Sequence, residues 1–147
     1  MTDNFMNLLK KIIKKMQWMA DNYYYKANIG YPYRSYEALH YLLNNFQFNT
    51  VLDVGCGEGI HSNEFLLHGK NVTAIDYGHS PYFKENKISK SIECIIGDIN
   101  TYQFNRQFDC VWCSHILEHQ LDVQKFLTKI VGLVSEGGGT SHYGSSL

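Results

Sequence analysis

The sequence predicts an α/β fold, a Rossmann-like parallel sheet with helices on both faces. Four short apolar runs, each long enough for a buried strand, are separated by stretches with helical spacing. A glycine-rich turn follows the first of these runs, and a carboxylate ends the second. The chain has 147 residues, of which 44% are hydrophobic and 18% are charged, and this is enough to bury one core.

The first fifty residues combine an amphipathic pattern with a tyrosine-rich segment. Apolar residues recur at helical spacing from Phe5 to Met19, opposite four lysines. This predicts a helix that packs on its own domain, and contact with a membrane surface is the alternative. Residues 23–41 are rich in tyrosine and suit a lid or pocket wall, or packing under the helix predicted from Ser35 to Phe46.

Strands and helices alternate from residue 50 onward. The apolar runs predict strands at Val51–Val54, Val72–Ile75, Cys94–Ile96 and Asp109–Cys113, and helical spacing predicts helices at Ile60–His68 and Leu121–Val134. Because strands that are apolar on both faces need cover on both, we expect helices on each side of the sheet.

Charge and composition exclude several classes of protein. The 13 basic and 14 acidic residues give a formal charge of −1, which argues against a domain held to nucleic acid by counterion release. The chain has no apolar stretch of about 18 residues that could span a membrane and no export signal at its start. Its four cysteines are too few for a secreted disulfide framework, which predicts a cytoplasmic location.

The strongest local signal is the segment Val51-Leu52-Asp53-Val54-Gly55-Cys56-Gly57-Glu58-Gly59. Its glycines allow positive φ angles and let a ligand approach the backbone amides. A dinucleotide fingerprint would place its third glycine one position later, where this chain has Ile60, so NAD is disfavoured. Asp76 ends the second predicted strand, where a carboxylate can accept hydrogen bonds from both hydroxyls of a ribose.

These features resemble a class I S-adenosylmethionine-dependent methyltransferase. Four motifs occur in the family's order: the glycine turn, Asp76, Gly97-Asp98-Ile99, and the run Phe108–Ser114 followed by Leu117-Glu118-His119. The segment Leu133–Gly138 resembles the turn before the family's fifth strand, with Glu136 where proline is usual. The likeness covers residues 36–138.

The resemblance implies S-adenosyl-L-methionine as the cofactor. The residues that it assigns to the cofactor are Asp53, Gly55, Cys56, Gly57, Gly59, Asp76, Tyr77, Asp98, Ile99 and Ser114. The glycine turn would cradle the methionine portion, with Asp53 near its amino group. Asp76 would hold the ribose, and Tyr77 would pack on adenine. Asp98, with the Ile99 amide, would read the adenine amine, and Ser114 would border the methyl group; as an alternative, Asp98 and Ser114 cap helices.

Methyl transfer to an oxygen of a small molecule is the predicted reaction. It is an in-line displacement, so the protein mainly aligns the nucleophile and excludes water. His115 and His119 are candidate bases, and His115 is the one expected to touch the acceptor. Tyr25, Tyr33 and Arg34 are candidate acceptor-binding residues, since a guanidinium among aromatic rings suits a phosphate or carboxylate. A surface arginine lying over tyrosines is the alternative.

The resemblance extends to methyltransferases of bacterial capsule and surface-polysaccharide loci, including the enzyme that methylates a capsular phosphoramidate. It divides the chain into residues 1–50, a cofactor-binding core at 51–139, and a tail at 140–147 that does not resemble a core strand. The family's last strands are therefore expected to be missing. A slipped reading frame in a guanine run would produce such a tail, and an exposed fourth strand would favour a homodimer.

Two rival interpretations remain open at this point. His115-Ile116-Leu117-Glu118-His119 also spells H-x-x-E-H, the signature of a zinc metallopeptidase. Cys110 and Cys113 form a C-x-x-C, but they lie in a predicted strand and would point to opposite faces. The second rival is a truncated chain that binds the cofactor without catalysing transfer.

Overall fold

The computed structural model describes residues 35–136, in which helices and strands alternate. The helices are α1 (Tyr36–Asn45), α2 (Ile60–Leu67), α3 (Pro81–Lys84) and α4 (Val123–Leu133), with a 3₁₀ helix at Leu117–His119. The strands are β1 (Thr50–Val54), β2 (Asn71–Asp76), β3 (Glu93–Ile96) and β4 (Cys110–Cys113). All four strands and the three longer helices agree with the predicted segments to within two residues at each end.

The four strands form a parallel sheet in the order β3-β2-β1-β4. Asp53 of β1 is in register with Ala74 of β2 on one side and with Trp112 of β4 on the other. After β3 the chain crosses to the opposite edge to form β4. The strand order therefore reverses beside β1, and in parallel sheets ligands bind outside the carboxyl ends of the strands at this point.

Helices cover both faces of the sheet, as the sequence predicts. Leu52 and Val54 of β1 pack with Phe126 of α4 in a buried cluster on one face. The intervening residue, Asp53, points to the opposite face, where its carboxylate accepts a hydrogen bond from Ser62 of α2. Strand side chains alternate between faces, so β1 contributes to both layers.

The amino ends of β1 and β4 are joined through Asp109. Its Oδ2 accepts hydrogen bonds from the amides of Asn49 (2.9 Å) and Thr50 (3.0 Å). These backbone hydrogen bonds hold the pKa of Asp109 below its usual range. Next to Asp109, Phe108 forms an isolated parallel β-bridge with Val134, the residue that follows α4.

The sequence analysis missed helix α3, although its start carries a clear signal. The Ser80 hydroxyl accepts a hydrogen bond from the Phe83 amide (3.0 Å), and Pro81 occupies the first helical position. Serine before proline is a common helix start, so this segment could have been identified. Within residues 35–136, no helix is both long and apolar enough to cross a bilayer.

Candidate functional site

The glycine turn after β1 is fastened to the end of β2. The amides of Gly55 (2.8 Å) and Cys56 (3.3 Å) both donate to the carbonyl of Ile75. Gly55, Gly57 and Gly59 all have positive φ, between 51° and 83°, so the turn needs residues without a Cβ. The Cys56 side chain is buried, and burial raises the pKa of its thiol, so this residue offers the site its backbone.

Two of the glycines are required by close neighbours, while the third is less crowded. A Cβ on Gly55 would lie 2.9 Å from Cδ1 of Ile116, and a Cβ on Gly59 would lie 2.1 Å from Cγ1 of Ile88. A Cβ on Gly57 would meet only Tyr82, at an ordinary 3.6 Å. Neighbouring side chains thus pack closely on the turn at Gly55 and Gly59. Gly57 is the position with most room for a ligand to approach the backbone.

Asp76, at the carboxyl end of β2, is held by backbone amides. Its Oδ2 accepts from the Gly57 amide (3.0 Å), and its Oδ1 accepts from the Gly78 amide (2.8 Å). The residue is only 9% exposed. A carboxylate has about four acceptor positions, so each oxygen can still accept a hydroxyl hydrogen bond. This geometry fits a carboxylate that holds the two hydroxyls of a ribose.

Asp98 lies in the loop that follows β3 and has its carboxylate oriented by Asn100. Both the amide (2.9 Å) and the side-chain Nδ2 (3.1 Å) of Asn100 donate to Asp98 Oδ1. The neighbouring Ile99 side chain is buried in the core cluster, so Ile99 can present only its backbone to a ligand. Asp98 therefore presents an oriented carboxylate in the loop after β3, and its role as an acceptor for a ligand stays a prediction.

Two exposed apolar side chains flank these carboxylates. Tyr77 is 63% exposed and Ile96 is 70% exposed, at the ends of β2 and β3. Gly78 packs against Ile96, since a Cβ there would lie 2.7 Å from Ile96 Cγ2. Apolar surface between two hydrogen-bonding groups suits a flat aromatic ligand such as adenine. The sequence analysis names Tyr77 as a candidate but not Ile96, because the strand pairing that brings Ile96 to Gly78 is not visible in the local sequence.

Asp53 lies beneath the glycine turn and is 2% exposed. The Ser62 hydroxyl donates to its Oδ2 at 2.6 Å. Burial, with a smaller contribution from the negative charge of Asp76, raises the pKa of Asp53 from 3.8 to about 6. At neutral pH the buried carboxylate is ionised, so a cation bound at the turn would be attracted to it.

The segment after β4 brings the predicted bases close to the glycine turn. His115 has a left-handed backbone (φ 53°), which is unusual for a residue with a Cβ. The next residue, Ile116, is the one that packs on Gly55. His115 Nδ1 lies 3.6 Å from Glu118 Oε1, and both side chains are about half exposed. His119 is also exposed, and Ser114 precedes this segment directly after β4.

The predicted residues thus follow four neighbouring strands and meet at one edge of the sheet. They comprise the glycine turn after β1, Asp76 and Tyr77 after β2, Asp98 and Ile99 after β3, and Ser114, His115 and His119 after β4. Tyr25, Tyr33 and Arg34 lie outside the described residues, as do the predicted amphipathic helix and the tail.

The zinc-peptidase alternative has no support in this geometry. The signature requires two histidines four positions apart on one α-helix, whereas here His115 is left-handed and Leu117–His119 is a 3₁₀ helix. In residues 35–136 no group of three histidine, cysteine or acidic side chains is arranged to hold a metal ion. Cys110 and Cys113 both lie in β4, as the sequence predicts.

Comparisons with known proteins identify the family and the fold. A family model described as "Methyltransferase domain" matches residues 52–140. The ubiquinone biosynthesis O-methyltransferase of Rickettsia felis is 33% identical over 105 residues, covering 67% of this chain and 41% of that protein. The enzyme of the same name from Pseudomonas syringae is 34% identical over 100 residues, covering 64% and 43%. The chain therefore spans about two fifths of the length of these relatives.

Solved structures share the fold. An S-adenosylmethionine-dependent methyltransferase from Clostridium acetobutylicum superposes with a TM-score of 0.58 at 20% identity, covering 82% of this chain and 55% of that one. A 1,6-didemethyltoxoflavin-N1-methyltransferase from Burkholderia thailandensis, with bound S-adenosylhomocysteine, gives a TM-score of 0.55 at 20% identity, covering 89% and 58%. Both likenesses show the Rossmann-like parallel sheet predicted from the sequence.

Proposed function

Since the chain belongs to the class I S-adenosylmethionine-dependent methyltransferase family, we propose that it binds the cofactor at the carboxyl ends of β1, β2 and β3. The observation that carries this proposal is the position of Asp76, whose two oxygens are held by the amides of Gly57 and Gly78 (3.0 and 2.8 Å). In the same turn, a Cβ on Gly57 would meet only Tyr82, at an ordinary 3.6 Å. The acceptor oxygens of Asp76 and the uncrowded backbone at Gly57 support binding of the ribose and methionine portions of this cofactor.

The proposed reaction is methyl transfer to an oxygen of a small molecule. The cofactor would supply an activated methyl group on a sulfonium, so the protein has to align the acceptor, and it has to remove a proton where the acceptor oxygen is a hydroxyl. Asp76 orients the ribose, Tyr77 and Ile96 enclose the adenine, and Asp53 attracts the ammonium group. An oxygen acceptor is supported by the ubiquinone biosynthesis O-methyltransferases among the relatives.

His115 is the proposed general base. Its backbone is next to Ile116, which packs on the glycine turn, so His115 lies on the side of the turn nearest to β4. With Nδ1 directed to the Glu118 carboxylate at 3.6 Å, Nε2 is the nitrogen that takes the acceptor's proton. His119 is the second candidate. A positioned histidine accelerates proton removal by about 10²-fold to 10⁴-fold.

The finer proposal concerns the acceptor. The sequence resemblance to enzymes of surface-polysaccharide loci, together with Arg34 among tyrosines, supports a phosphorylated or glycosyl acceptor such as a capsular phosphoramidate. A cytoplasmic location and a homodimer through the outer edge of β4 belong to the same set of proposals. Light scattering of the purified protein tests the dimer.

Calorimetry with S-adenosylmethionine and S-adenosylhomocysteine tests the cofactor proposal, and transfer of a labelled methyl group tests the reaction. We expect both cofactor forms to bind, and we expect label to appear on an oxygen of a phosphorylated or glycosyl acceptor. A ubiquinone precursor forms the comparison arm, because the named relatives are ubiquinone biosynthesis O-methyltransferases. Failure of both cofactor forms to bind would refute the proposal, and labelling of nitrogen alone would refute the oxygen acceptor.

A further inference from the structure

The side chains of Asn100 and Gln120 connect the loop after β3 with the segment after β4. Asn100 Nδ2 donates to Asp98 Oδ1 (3.1 Å) and to Gln120 Oε1 (3.0 Å). Gln120 Nε2 in turn donates to the carbonyl of Ile116 (3.3 Å). Both side chains are partly buried; Asn100 donates twice from Nδ2, while Gln120 accepts at Oε1 and donates from Nε2. A continuous path of hydrogen bonds therefore runs from the Asp98 carboxylate to the Ile116 backbone.

The two ends of this path have different tasks in the proposed function. Asp98 is the proposed acceptor for the adenine amine, and Ile116 adjoins the proposed base, His115. Ile116 also packs on Gly55, and its carbonyl accepts from the His119 amide (3.1 Å) as well as from Gln120. The path thus links the adenine side of the site to the segment that faces the methyl acceptor.

The segment from His115 to His119 needs contacts with other parts of the structure to hold its conformation. His115 adopts a left-handed backbone, which is disfavoured for a residue with a Cβ and persists when its surroundings hold it in place. The 3₁₀ helix that follows has only three residues, too few to be stable alone. Ile116 packs on Gly55 and against the buried core cluster, and the hydrogen bond from Asn100 to Gln120 ties the segment to the loop after β3.

We propose that Asn100 and Gln120 are positioning residues, which hold the His115–His119 segment relative to Asp98 and make its rigidity depend on the bound cofactor. A ligand hydrogen bond to Asp98 fixes the orientation of the carboxylate. That orientation fixes the Nδ2 group of Asn100, and with it the amide of Gln120. The inference rests on the proposed function, since it assumes that the cofactor's adenine binds at Asp98.

Amide hydrogen exchange with S-adenosylhomocysteine as the probe tests this inference without requiring turnover. In the wild-type protein, we expect saturating S-adenosylhomocysteine to slow exchange at the amides of His119 and Gln120, which close the 3₁₀ helix. In Gln120→Leu, which removes both side-chain hydrogen bonds at similar volume, this slowing should shrink by about fivefold, the factor that one net hydrogen bond provides. Calorimetric affinity for the probe should change far less, because Gln120 does not contact Asp98.

A matched control and a second variant separate positioning from general stability. Gln107→Leu also loses a side-chain hydrogen bond, from Nε2 to the carbonyl of Gly132 (3.1 Å), and should keep the wild-type response. Asn100→Ala breaks the same path from its other end, so its effect should match that of Gln120→Leu, and the double variant should be no worse. If Gln120→Leu does not fold, Asn100→Ala gives the answer by itself.

The outcomes distinguish this inference from the proposed function. Binding of S-adenosylhomocysteine with equal slowing in the wild type and in the path variants would overturn the positioning role and leave cofactor binding intact. Binding without any slowing in the wild type would do the same. Failure of the wild type to bind the probe would overturn both. In a methyl-transfer assay, Gln120→Leu and Asn100→Ala should lower kcat while the KM for the cofactor stays within about twofold. This pattern is expected when an interaction made in the transition state is lost.

Discussion

Replacement of Asp53 by asparagine should stabilise the fold at neutral pH and weaken cofactor binding. The carboxylate is 2% exposed, and burial raises its pKa from 3.8 to about 6. Its charge at pH 8 is therefore carried at a cost in the interior. At 1.36 kcal/mol per pKa unit, this cost is about 3 kcal/mol. Asparagine keeps an acceptor for the Ser62 hydroxyl and carries no charge.

The gain should depend on pH in a defined direction. Because the pKa of Asp53 is higher in the folded than in the unfolded protein, the folded state binds the proton more tightly between about pH 4 and pH 6. This contribution to the free energy of unfolding is fully present below the unfolded pKa and is lost as the pH rises through 6. The Asp53→Asn variant has no such loss. Its advantage should grow from near zero at pH 4 to as much as about 3 kcal/mol at pH 8.

Urea unfolding followed by tryptophan fluorescence between pH 4 and pH 8 measures this difference. Asp109→Asn is the control of opposite sign, because backbone hydrogen bonds lower the pKa of Asp109. Its carboxylate stabilises the fold above the unfolded pKa, and that contribution is lost as the pH falls through the folded value. Asp109→Asn should therefore be less stable than wild type at pH 8 and approach it at low pH.

Calorimetry completes the test of Asp53. If the carboxylate attracts the ammonium group of the cofactor, Asp53→Asn should bind S-adenosylhomocysteine about tenfold more weakly, as expected when one charge-assisted hydrogen bond is lost. A variant that is no more stable than wild type at pH 8, or whose advantage does not change with pH, would refute the reasoning from burial. Unchanged affinity for the probe would remove Asp53 from the cofactor site.

Three further predictions concern the turn, the ribose carboxylate and the base. Gly59→Ala should lower the free energy of unfolding by more than about 2 kcal/mol, because of left-handed strain and the clash with Ile88. The control Gly69→Ala has open space around it and should lose about 1 kcal/mol from strain alone. Equal losses for the two variants in urea unfolding would contradict the packing argument. Asp76→Asn should bind S-adenosylhomocysteine at least about tenfold more weakly by calorimetry, and wild-type affinity would remove it from the site. His115→Ala should lower kcat by about 10²-fold or more with unchanged cofactor affinity, and full turnover would exclude it as the base.

The sequence was sufficient for the parts of the site that depend on local rules. The position of Asp76 could be predicted because it ends a buried strand at a characteristic sequence separation from Gly55. In a parallel sheet, the carboxyl ends of neighbouring strands lie at the same edge, which brings Asp76 and Gly55 together. Gly57 could be placed because a turn that exposes its amides to a ligand needs a positive φ. Residues that follow strand ends in this way are readable without knowledge of distant contacts.

Other features depend on contacts between distant segments and could not be predicted. Ile96 lies beside Gly78 only because β3 pairs with β2, and Asn100 meets Gln120 only because the loops after β3 and β4 converge at one edge of the sheet. The left-handed backbone of His115 could not be predicted from its residue type alone, and the next residue, Ile116, packs on the distant glycine turn. Local pattern gives the strand ends, and only the fold determines which loops meet there.

Cofactor binding and methyl transfer can fail separately in this chain, and this guides how it should be tested. The residues proposed to hold the cofactor lie between Asp53 and Ser114, within the strands of the described sheet or in the loops that follow them. The residues proposed to bind the acceptor, Tyr25, Tyr33 and Arg34, lie outside the described residues, and the chain spans about two fifths of the length of its curated relatives. Binding of S-adenosylhomocysteine is therefore the decisive first measurement, because it depends on residues that the structure describes. A chain that binds the cofactor without turnover would place the deficit on the acceptor side, and a chain that does not bind would refute the site itself.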